Sequence, residues 1–286
     1  MDLTDFIAKN IYDEGGSTHG CRPHLLTEEC AVFDADKWNL IWTHREAFID
    51  GTISTLIMAA MGLLLALAVG IIFGLLATSG KKSLTIISRI YVEIVQNTPL
   101  MLQALFLFYT VTFSGIKGFT ALLCGIIALG IYHGAYISEV IRAGIETVPK
   151  GQAEAAYSQG FTHTAAMMYI ILPQTIKIIL PPMVNQVVNL IKNTSCMFLA
   201  GGAVDLISRT NAFAVGEGTG SAAGQGYILG GIIFFVICFP LSTLASAWEN
   251  KLKSRDVQTV TVRKKADDIT DDELDKLIEV SKGGEN

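Results

Sequence analysis

Charged residues are scarce in this sequence of 286 residues. Asp, Glu, Lys and Arg make up 16% of it and hydrophobic residues 51%, whereas a soluble domain carries about a quarter charged residues. The net charge of −5 comes without any basic patch interleaved with aromatic residues, which excludes a nucleic-acid partner. Together with a mean hydropathy of +0.46, these absences exclude an ordinary soluble domain and predict a membrane protein.

Charge is nearly absent from five stretches, each long enough for the roughly 20 apolar residues that cross a bilayer as a helix. The stretch at 174–199 carries Lys177 and Lys192 near its ends, where lysines can snorkel to the interface. Pro99, Pro181 and Pro182 are expected to kink or end helices. We therefore predict an all-α membrane protein with five core transmembrane helices, at Gly51–Gly80, Ile94–Ile116, Gly118–Ser138, Gln174–Leu199 and Gly218–Ala247.

Basic residues gather after the first and the last of these spans, and such residues favour the cytoplasmic side. With five spans, this places the N-terminus outside, the C-terminus in the cytoplasm and the loop between the third and fourth spans in the cytoplasm. We expect a transmembrane domain at 48–250 and a cytoplasmic tail at 251–286. The basic residues concerned are Lys81, Lys82 and Arg89, and then Lys251, Lys253, Arg255, Arg263, Lys264 and Lys265.

The first 50 residues lack the basic start and short apolar core of a signal peptide, and hold ten acidic and four basic residues. We expect residues 1–47 to form an extracytoplasmic extension. Cys21 and Cys30 lie within it. An oxidising compartment permits a disulfide between them, and two free thiols are the alternative. The glycine-rich stretch 200–226 is predicted to be an outside loop, in which Ala203–Arg209 has the pattern of one short helix.

A phosphate-binding loop is missing as well. The nearest string, Gly74–Ser83, has one residue too many between its glycines, and Lys82 stands where Ser or Thr should follow the lysine. It also ends a membrane span instead of joining a strand to a helix. We expect no catalytic residues, no metal site and no bound cofactor in this chain, so ATP hydrolysis would need a separate subunit.

One polar segment, at 150–173, interrupts the apolar pattern between the third and fourth spans. Gly160 tolerates a left-handed turn, which allows two short helices at about Gln152–Gln159 and His163–Ile171, with Thr162 as the cap of the second. Small residues at Ala155 and Ala156 allow a partner surface to approach closely, and Glu154 offers a charge for its Arg or Lys. An ordinary amphipathic loop is the alternative.

This segment, GQAEAAYSQGFTHTAAMMYIILPQ, resembles the EAA loop of ABC importer permeases, which docks into an ATPase subunit. From about Gly51 to Trp248 the chain is similar to permeases of the polar amino-acid uptake family. The stretch with Thr98-Pro99-Leu100 resembles that family's "TPLLVQ". Three further stretches follow in the family order, at Gly134–Ile145 ("GAYIAEIxRGGI"), Leu180–Asn185 and Leu190–Ser195.

The resemblance implies a type I importer subunit in a bacterial inner membrane. Two permease subunits, as a homodimer or heterodimer, would enclose the pathway for a polar amino acid. Two ATPase subunits would bind ATP and Mg²⁺ beneath it, and an extracytoplasmic binding protein would deliver the substrate. The residues expected to couple this chain to the ATPase are Gln152, Glu154, Ala155, Ala156, Gly160 and Thr162.

Polar side chains at membrane depth are costly and indicate function. At 1.5 Å per residue, Gln103 would lie roughly 25 Å along a second span starting near Ile86, at a depth similar to the polar residues of the third and fourth spans. Amides supply the donors and acceptors that suit a zwitterion; hydrogen bonding between helices is the alternative, above all for His133. The predicted pathway residues are Gln103, Tyr132, His133, Asn189, Asn193 and Ser195.

The chain departs from the family pattern at three places. Asn193 stands where many members have Asp, Tyr132 where Asn is common, and Gln96-Asn97 where the family has Arg-Gly. The first change removes an anion that would pair with a positively charged side chain. Together with the second change, it makes a cationic amino acid such as arginine a poor candidate substrate. Near the cytoplasmic end of the third span, Glu139 and Arg142 are spaced to form an ion pair.

Two other functions remain open at this point. An ion-coupled secondary amino-acid transporter needs no ATPase, and the shortage of intramembrane carboxylates other than Glu139 argues against coupling to protons. A membrane scaffold that binds an ATPase without transporting anything would suit the acidic extension and tail, but not the polar residues at mid-membrane depth. Measuring amino-acid uptake by reconstituted vesicles distinguishes both the secondary transporter and the scaffold from an importer.

Overall fold

The computed structural model describes residues 35–116, 118–200, 205–215 and 222–267, and all regular elements in these ranges are helices. The Cys21–Cys30 pair, most of the N-terminal extension and the tail beyond Asp267 lie outside them. The helices are α1 (Ala35–Thr43), α2 (Arg45–Ala77), α3 (Lys82–Gln96), α4 (Leu100–Phe113), α5 (Ala121–Thr147), α6 (Lys150–Ser158), α7 (His163–Ala166), a π-helix (Met167–Ile171), α8 (Leu172–Asn193), a 3-10 helix (Thr194–Ala200), α9 (Leu206–Val215) and α10 (Ala223–Asp267).

In the part of the chain that the structure describes, four helices are long and apolar enough to cross a membrane: α2, α5, the continuous helix His163–Phe198 and the Ala223–Lys251 part of α10. The fifth predicted span is a pair, α3 and α4, bent by 94°. The all-α, five-span fold is thus confirmed, with the bent pair counted as one span. The prediction of a single second span at Ile94–Ile116 is wrong, and the fourth span begins eleven residues before the predicted Gln174.

The break between α3 and α4 follows from Pro99, which has no N–H to donate and disfavours a helical conformation of the preceding residue. Side chains satisfy the carbonyl groups that the break leaves free. Nδ2 of Asn97 donates to the Glu93 carbonyl at 2.7 Å. Nε2 of Gln103 donates to the carbonyls of Val95 at 2.9 Å and Thr98 at 3.1 Å. Such pairing is what makes broken helices tolerable within a bilayer.

Glycines allow α5 to pack against its neighbours at short distance, as in many membrane helix pairs. A Cβ added to Gly70 of α2 would lie 2.3 Å from Cγ2 of Ile137 in α5. A Cβ added to Gly144 of α5 would lie 2.2 Å from Cγ2 of Ile179 in α8. The three helices therefore meet with little space between their backbones.

Two proline predictions have different outcomes. Pro99 ends a helix as expected, but Pro181 and Pro182 lie inside α8, which continues to Asn193. The π-helix before α8 was not predicted; it joins α7 to α8 without a break, so that one helical rod leads from the polar loop into the membrane.

The glycine-rich stretch predicted to be a loop contains α9, which begins three residues later than the short helix expected at Ala203–Arg209. Asp205 precedes α9, and its carboxylate accepts hydrogen bonds from the Ile207 amide at 3.2 Å and from the Ser208 hydroxyl. Burial raises the pKa of this carboxyl above its ordinary value, although these hydrogen bonds oppose the shift. The Leu206 amide donates to Oγ1 of Thr55 at 3.0 Å, which ties α9 to α2.

Helix α10 is far longer than a membrane span. Its 45 residues extend about 67 Å, roughly twice the thickness of the hydrocarbon core. It passes Trp248, where the apolar stretch ends, and continues into the segment predicted as the cytoplasmic tail. Pro240 lies inside it.

Candidate coupling loop and translocation pathway

The predicted helix–turn–helix geometry of the polar loop is confirmed. Helix α6 ends at Ser158, and Gly160 adopts a φ of 84°, the left-handed conformation that glycine alone accepts without penalty. Oγ1 of Thr162 accepts a hydrogen bond from the Ala165 amide at 3.3 Å, so Thr162 caps α7 as expected. The amide of Phe161 bonds to the carbonyl of Ala156 at 3.1 Å and closes the turn.

The exposed surface of this loop differs in part from the predicted one. Glu154 and Ala155 are exposed, but Ala156 is 2% exposed and packs inward, so it offers no surface to a partner. Two aromatic residues that the sequence reasoning missed, Tyr157 and Phe161, are exposed instead. Exposed aromatic side chains on a polar loop are typical of protein interfaces, and this composition was the signal available in the sequence.

The loop is anchored to the membrane helices on both sides. It follows α5 after Pro149, and it continues through α7 and the π-helix into α8. Nε2 of Gln174, in the first turn of α8, donates to Oε1 of Gln152 at 3.4 Å and to the Ile170 carbonyl at 2.8 Å. Helix α6 is thus tied to α8 both by this side-chain contact and by the continuous helix that follows the turn.

A polar chain at the middle of the bundle links α5 to α8. His133 is 2% exposed. Nδ2 of Asn193 donates to His133 Nε2 at 3.1 Å, and His133 Nδ1 donates to Oε1 of Gln186 at 3.3 Å. These directions require a neutral imidazole with its proton on Nδ1. Gln186 was not predicted, because one more amide on a helix carries no signal until its partner is known.

Of the other predicted pathway residues, the structure brings Tyr132 next to the hydrogen bonds around His133, and Gln103 next to the end of α3. The hydroxyls of Tyr132 and Tyr136 are 3.2 Å apart, and the Tyr132 ring packs edge-on against His133 with centroids 5.4 Å apart. Gln103 caps the broken end of α3 at Val95, which belongs to the apolar cluster that Tyr132 packs against. The depth estimated for Gln103 on an unbroken helix does not hold, since the helix bends before it.

The remaining two predicted pathway residues form no hydrogen bond with the histidine. Asn189 is exposed on α8, and its side chain makes no hydrogen bond within the described residues. Oγ of Ser195 donates to the carbonyl of Lys192 at 2.7 Å, and both residues line a cleft of about 360 Å³ beside α10.

The predicted ion pair on α5 is present. Arg142 Nη2 lies 2.8 Å from Glu139 Oε2, and Arg142 Nη1 lies 2.6 Å from Glu146 Oε2. The single guanidinium thus holds two carboxylates on one helix face. Within the described ranges, no group of three or more His, Cys, Asp or Glu side chains is arranged to hold a metal ion.

Comparison with known proteins explains this combination of spans and loop. A family model described as the inner membrane component of binding-protein-dependent transport systems matches residues 66–254, about two thirds of the sequence. The chain belongs to this family. The match begins within α2 and ends three residues beyond Lys251, so it includes the polar loop, the bent pair and the polar chain around His133. The predicted family resemblance is therefore confirmed, and the protein is a multi-pass inner membrane protein.

Individual relatives of this permease support the same placement. It is 35% identical over 217 residues to the probable glutamine ABC transporter permease GlnM of Bacillus subtilis, covering 75% of this chain and 97% of the relative. A crystal structure of an amino acid ABC transporter with histidines is 31% identical, covers 74% of this chain and 96% of its own, and superposes with a TM-score of 0.66. The MetNI methionine transporter, at 16% identity and a TM-score of 0.59, shares the fold.

Proposed function

We propose that this chain is the transmembrane permease subunit of an ATP-driven, binding-protein-dependent importer of polar amino acids. The observation that carries this function is the exposed helix–turn–helix loop at α6–α7, joined by continuous helix to a membrane span. The chain itself is a transport subunit and not an enzyme; its family works with a separate ATPase.

In the proposed mechanism, ATP binding closes the two ATPase subunits and moves the loop at 150–173. Because α7, the π-helix and α8 form one rod, the loop carries α8 with it. Helix α8 is joined to α5 through His133 and through the close contact at Gly144. The bundle then changes from inward-facing to outward-facing, and the binding protein releases its amino acid into the pathway.

The arrangement in the membrane is part of the proposal. We place the N-terminus and residues 1–47 outside, the permease domain at 48–250, and the loop and the tail from 251 in the cytoplasm. Two permease copies, identical or not, pair around the pathway. ATP and Mg²⁺ are held by the partner ATPase. The coupling residues are Gln152, Glu154, Ala155, Gly160 and Thr162, with Ala156 supporting the turn from inside.

For the pathway we propose Gln103, Tyr132, His133, Asn189, Asn193 and Ser195. In this set His133 acts through its neighbours, since its ring is buried and both of its nitrogens are occupied. The relatives named as glutamine permeases, and the neutral Asn193 in place of an acidic residue, support an uncharged polar amino acid such as glutamine as the substrate.

The coupling role is tested by Glu154→Lys combined with Gly160→Pro in the assembled complex. The first change reverses the exposed charge, and the second is incompatible with a φ of 84°. We expect loss of ATP-driven glutamine uptake by reconstituted vesicles. The matched control is Glu154→Asp with Gly160→Asn, because Asp keeps the charge and Asn tolerates the left-handed conformation; it should keep most of the uptake.

Normal ATP-driven uptake by a correctly assembled double variant would refute the coupling role. The same vesicles separate the alternatives to an importer. A secondary transporter takes up the amino acid when an ion gradient is imposed without ATP, and a scaffold takes up nothing under either condition. An importer requires ATP and its binding protein, and is insensitive to collapse of the ion gradient.

A further inference from the structure

A cavity of about 510 Å³ lies where the end of α2, the start of α3 and the last turns of α5 meet. Glu146, one of its lining residues, precedes the start of α6 at Lys150 by four residues. The cavity is therefore at the same end of the bundle as the polar loop. Lys82 and Arg89 of α3 also line it, whereas Lys81 does not.

Helix α3 runs from this cavity back along α2, into the bundle. Oγ1 of Thr85 donates to the carbonyl of Ala77, the last residue of α2, at 3.2 Å. One turn later, Oγ of Ser88 donates to the carbonyl of Phe73 at 2.8 Å. The start of α3 is therefore level with the end of the α2 span, and the later residues of α3 lie deeper in the membrane.

The cavity has basic groups that the described part of the chain leaves without acidic partners. Lys82 forms no ion pair there, and Glu146 is bound to Arg142 at 2.6 Å. Arg89 uses only its Nε, which lies 2.8 Å from Oε1 of Glu93, and both side chains of this pair are exposed, so that it contributes little. One ammonium group and the two Nη groups of a guanidinium are thus available, and phosphate oxygens accept hydrogen bonds from both.

A row of exposed isoleucines continues from the cavity along α3. Ile86, Ile90 and Ile94 are 47%, 53% and 63% exposed. Their four-residue spacing places them on one face of the helix, and Lys82 precedes Ile86 by the same spacing. The row extends about 12 Å into the membrane. Basic groups at the membrane edge with an apolar row beneath them match a ligand that carries both a phosphate and hydrocarbon chains, whereas a soluble anion would leave the row unused.

We propose that this cavity binds the headgroup of one anionic phospholipid. Lys82 and Arg89 hold its phosphate, and an acyl chain lies along the isoleucine row of α3. Basic pockets between membrane helices on the cytoplasmic side are suited to such headgroups. The inference goes beyond amino-acid transport and rests on the proposed function only in placing this end of the bundle at the cytoplasmic leaflet. A lipid bound here joins α2, α3 and α5 directly beside the coupling loop.

The test is native mass spectrometry of the delipidated full-length chain in detergent, titrated with dioleoyl phosphatidylglycerol. Phosphatidylethanolamine with the same acyl chains is the reference without net charge. We expect the chain to bind one phosphatidylglycerol more tightly than any phosphatidylethanolamine. Lys82→Gln should weaken this binding about 5-fold, as for one basic residue facing an anionic lipid, and Lys82→Arg should retain it. Lys81→Gln is the matched control, because it removes the same charge next to the cavity without altering the lining; it should weaken binding far less.

Ala77→Leu fills the cavity while every charge stays in place, and it should abolish the preference for phosphatidylglycerol. Retention of the preference by Ala77→Leu, or equal weakening by Lys81→Gln and Lys82→Gln, overturns the inference and assigns the effect to general surface charge. Displacement of the lipid by excess glycerol 1-phosphate overturns it in favour of a soluble anion. Loss of permease pairing on size-exclusion chromatography with Lys82→Gln alone overturns it in favour of a subunit interface. No transport is measured, so failure of the proposed importer activity would be seen separately.

Discussion

Substituting Gly144 with alanine tests how closely α5 and α8 pack. The new Cβ would lie 2.2 Å from Cγ2 of Ile179, while the next atom, Cγ2 of Thr175, is 3.2 Å away. Overpacking of this kind costs about 1–3 kcal/mol, but replacing glycine within a helix also stabilises by about 0.8–1 kcal/mol. Gly231→Ala in α10 places its new Cβ where no atom lies within 4 Å, so this variant shows the gain in helix propensity without any overpacking. Gly144→Ala should therefore be about 1–3 kcal/mol less stable than Gly231→Ala.

A second substitution identifies the atom responsible. Leucine at position 179 carries its branch on Cγ instead of Cβ, so Ile179→Leu removes the Cγ2 that clashes and nearly conserves volume. Alone it should cost less than about 1.5 kcal/mol. Combined with Gly144→Ala it should recover most of the lost stability, which a double-mutant cycle reports as a favourable coupling energy.

The pair at Gly70 and Ile137 provides the contrast. There an added Cβ would lie 2.3 Å from Cγ2 of Ile137, but also 2.7 Å from its Cβ and 3.1 Å from the carbonyl oxygen of Gly134. Because leucine keeps the Cβ and the backbone stays in place, Ile137→Leu should not rescue Gly70→Ala. Thermal unfolding of the fluorescently tagged chain in detergent, followed by size-exclusion chromatography, measures all variants. Equal stability of Gly144→Ala and Gly231→Ala, or a coupling energy of zero, would refute the close packing.

Three further predictions concern polar groups. Gln103→Leu removes the donor that caps the end of α3. It should lower the unfolding temperature by more than Gln159→Leu, a change at an exposed position, because the carbonyl groups of Val95 and Thr98 lose their partner at a cost of about 1–3 kcal/mol. His133→Ala should destabilise more than Gln186→Leu, since it breaks two links between α5 and α8 instead of one; equal losses would contradict the chain of hydrogen bonds. Asp205→Asn cannot titrate, whereas the raised pKa of Asp205 means that ionisation in the folded state opposes folding. Unfolding temperatures measured from pH 8 to pH 4 should therefore shift in favour of the wild type relative to Asp205→Asn as the pH falls, and a shift in the opposite direction would exclude a buried, costly carboxylate.

The local sequence pattern was enough to predict the structural features that depend only on residues adjacent in the chain. The apolar runs located the spans, and Gly160 and Thr162 defined the turn and cap of the loop, because each acts on its own backbone. Pro99 was expected to kink or end a helix, but the division of the second span into two helices bent by 94° was not predicted, since a count of apolar residues is the same for one straight helix as for two bent ones. The side chains of Asn97 and Gln103, which reach back to the carbonyls of Glu93 and Val95, satisfy groups that the break leaves free.

The depth of a residue along its membrane span, and the direction in which its side chain faces, could not be obtained from sequence separation alone. Gln103 was expected roughly 25 Å along one straight second span, whereas the structure bends the helix before it and turns its side chain back to the carbonyl of Val95. Likewise, Ala155 and Ala156 are equivalent in composition, but the turn buries the second one. Both outcomes depend on which helix a residue packs against, and this is decided by the tertiary structure.

The proline within α10 gives this long helix unequal arms. Pro240 donates no hydrogen bond to the carbonyl of Val236, and sharp helix bends occur at such residues. The arm towards Ala223 is about 26 Å long and the arm towards Asp267 about 40 Å. A bend at Pro240 would let the two arms tilt independently, so a movement of the longer arm need not displace the shorter one. The contact of α10 with α9, at Tyr227 and Gly230, lies on the shorter arm and is thereby separated from the part of α10 beyond Trp248.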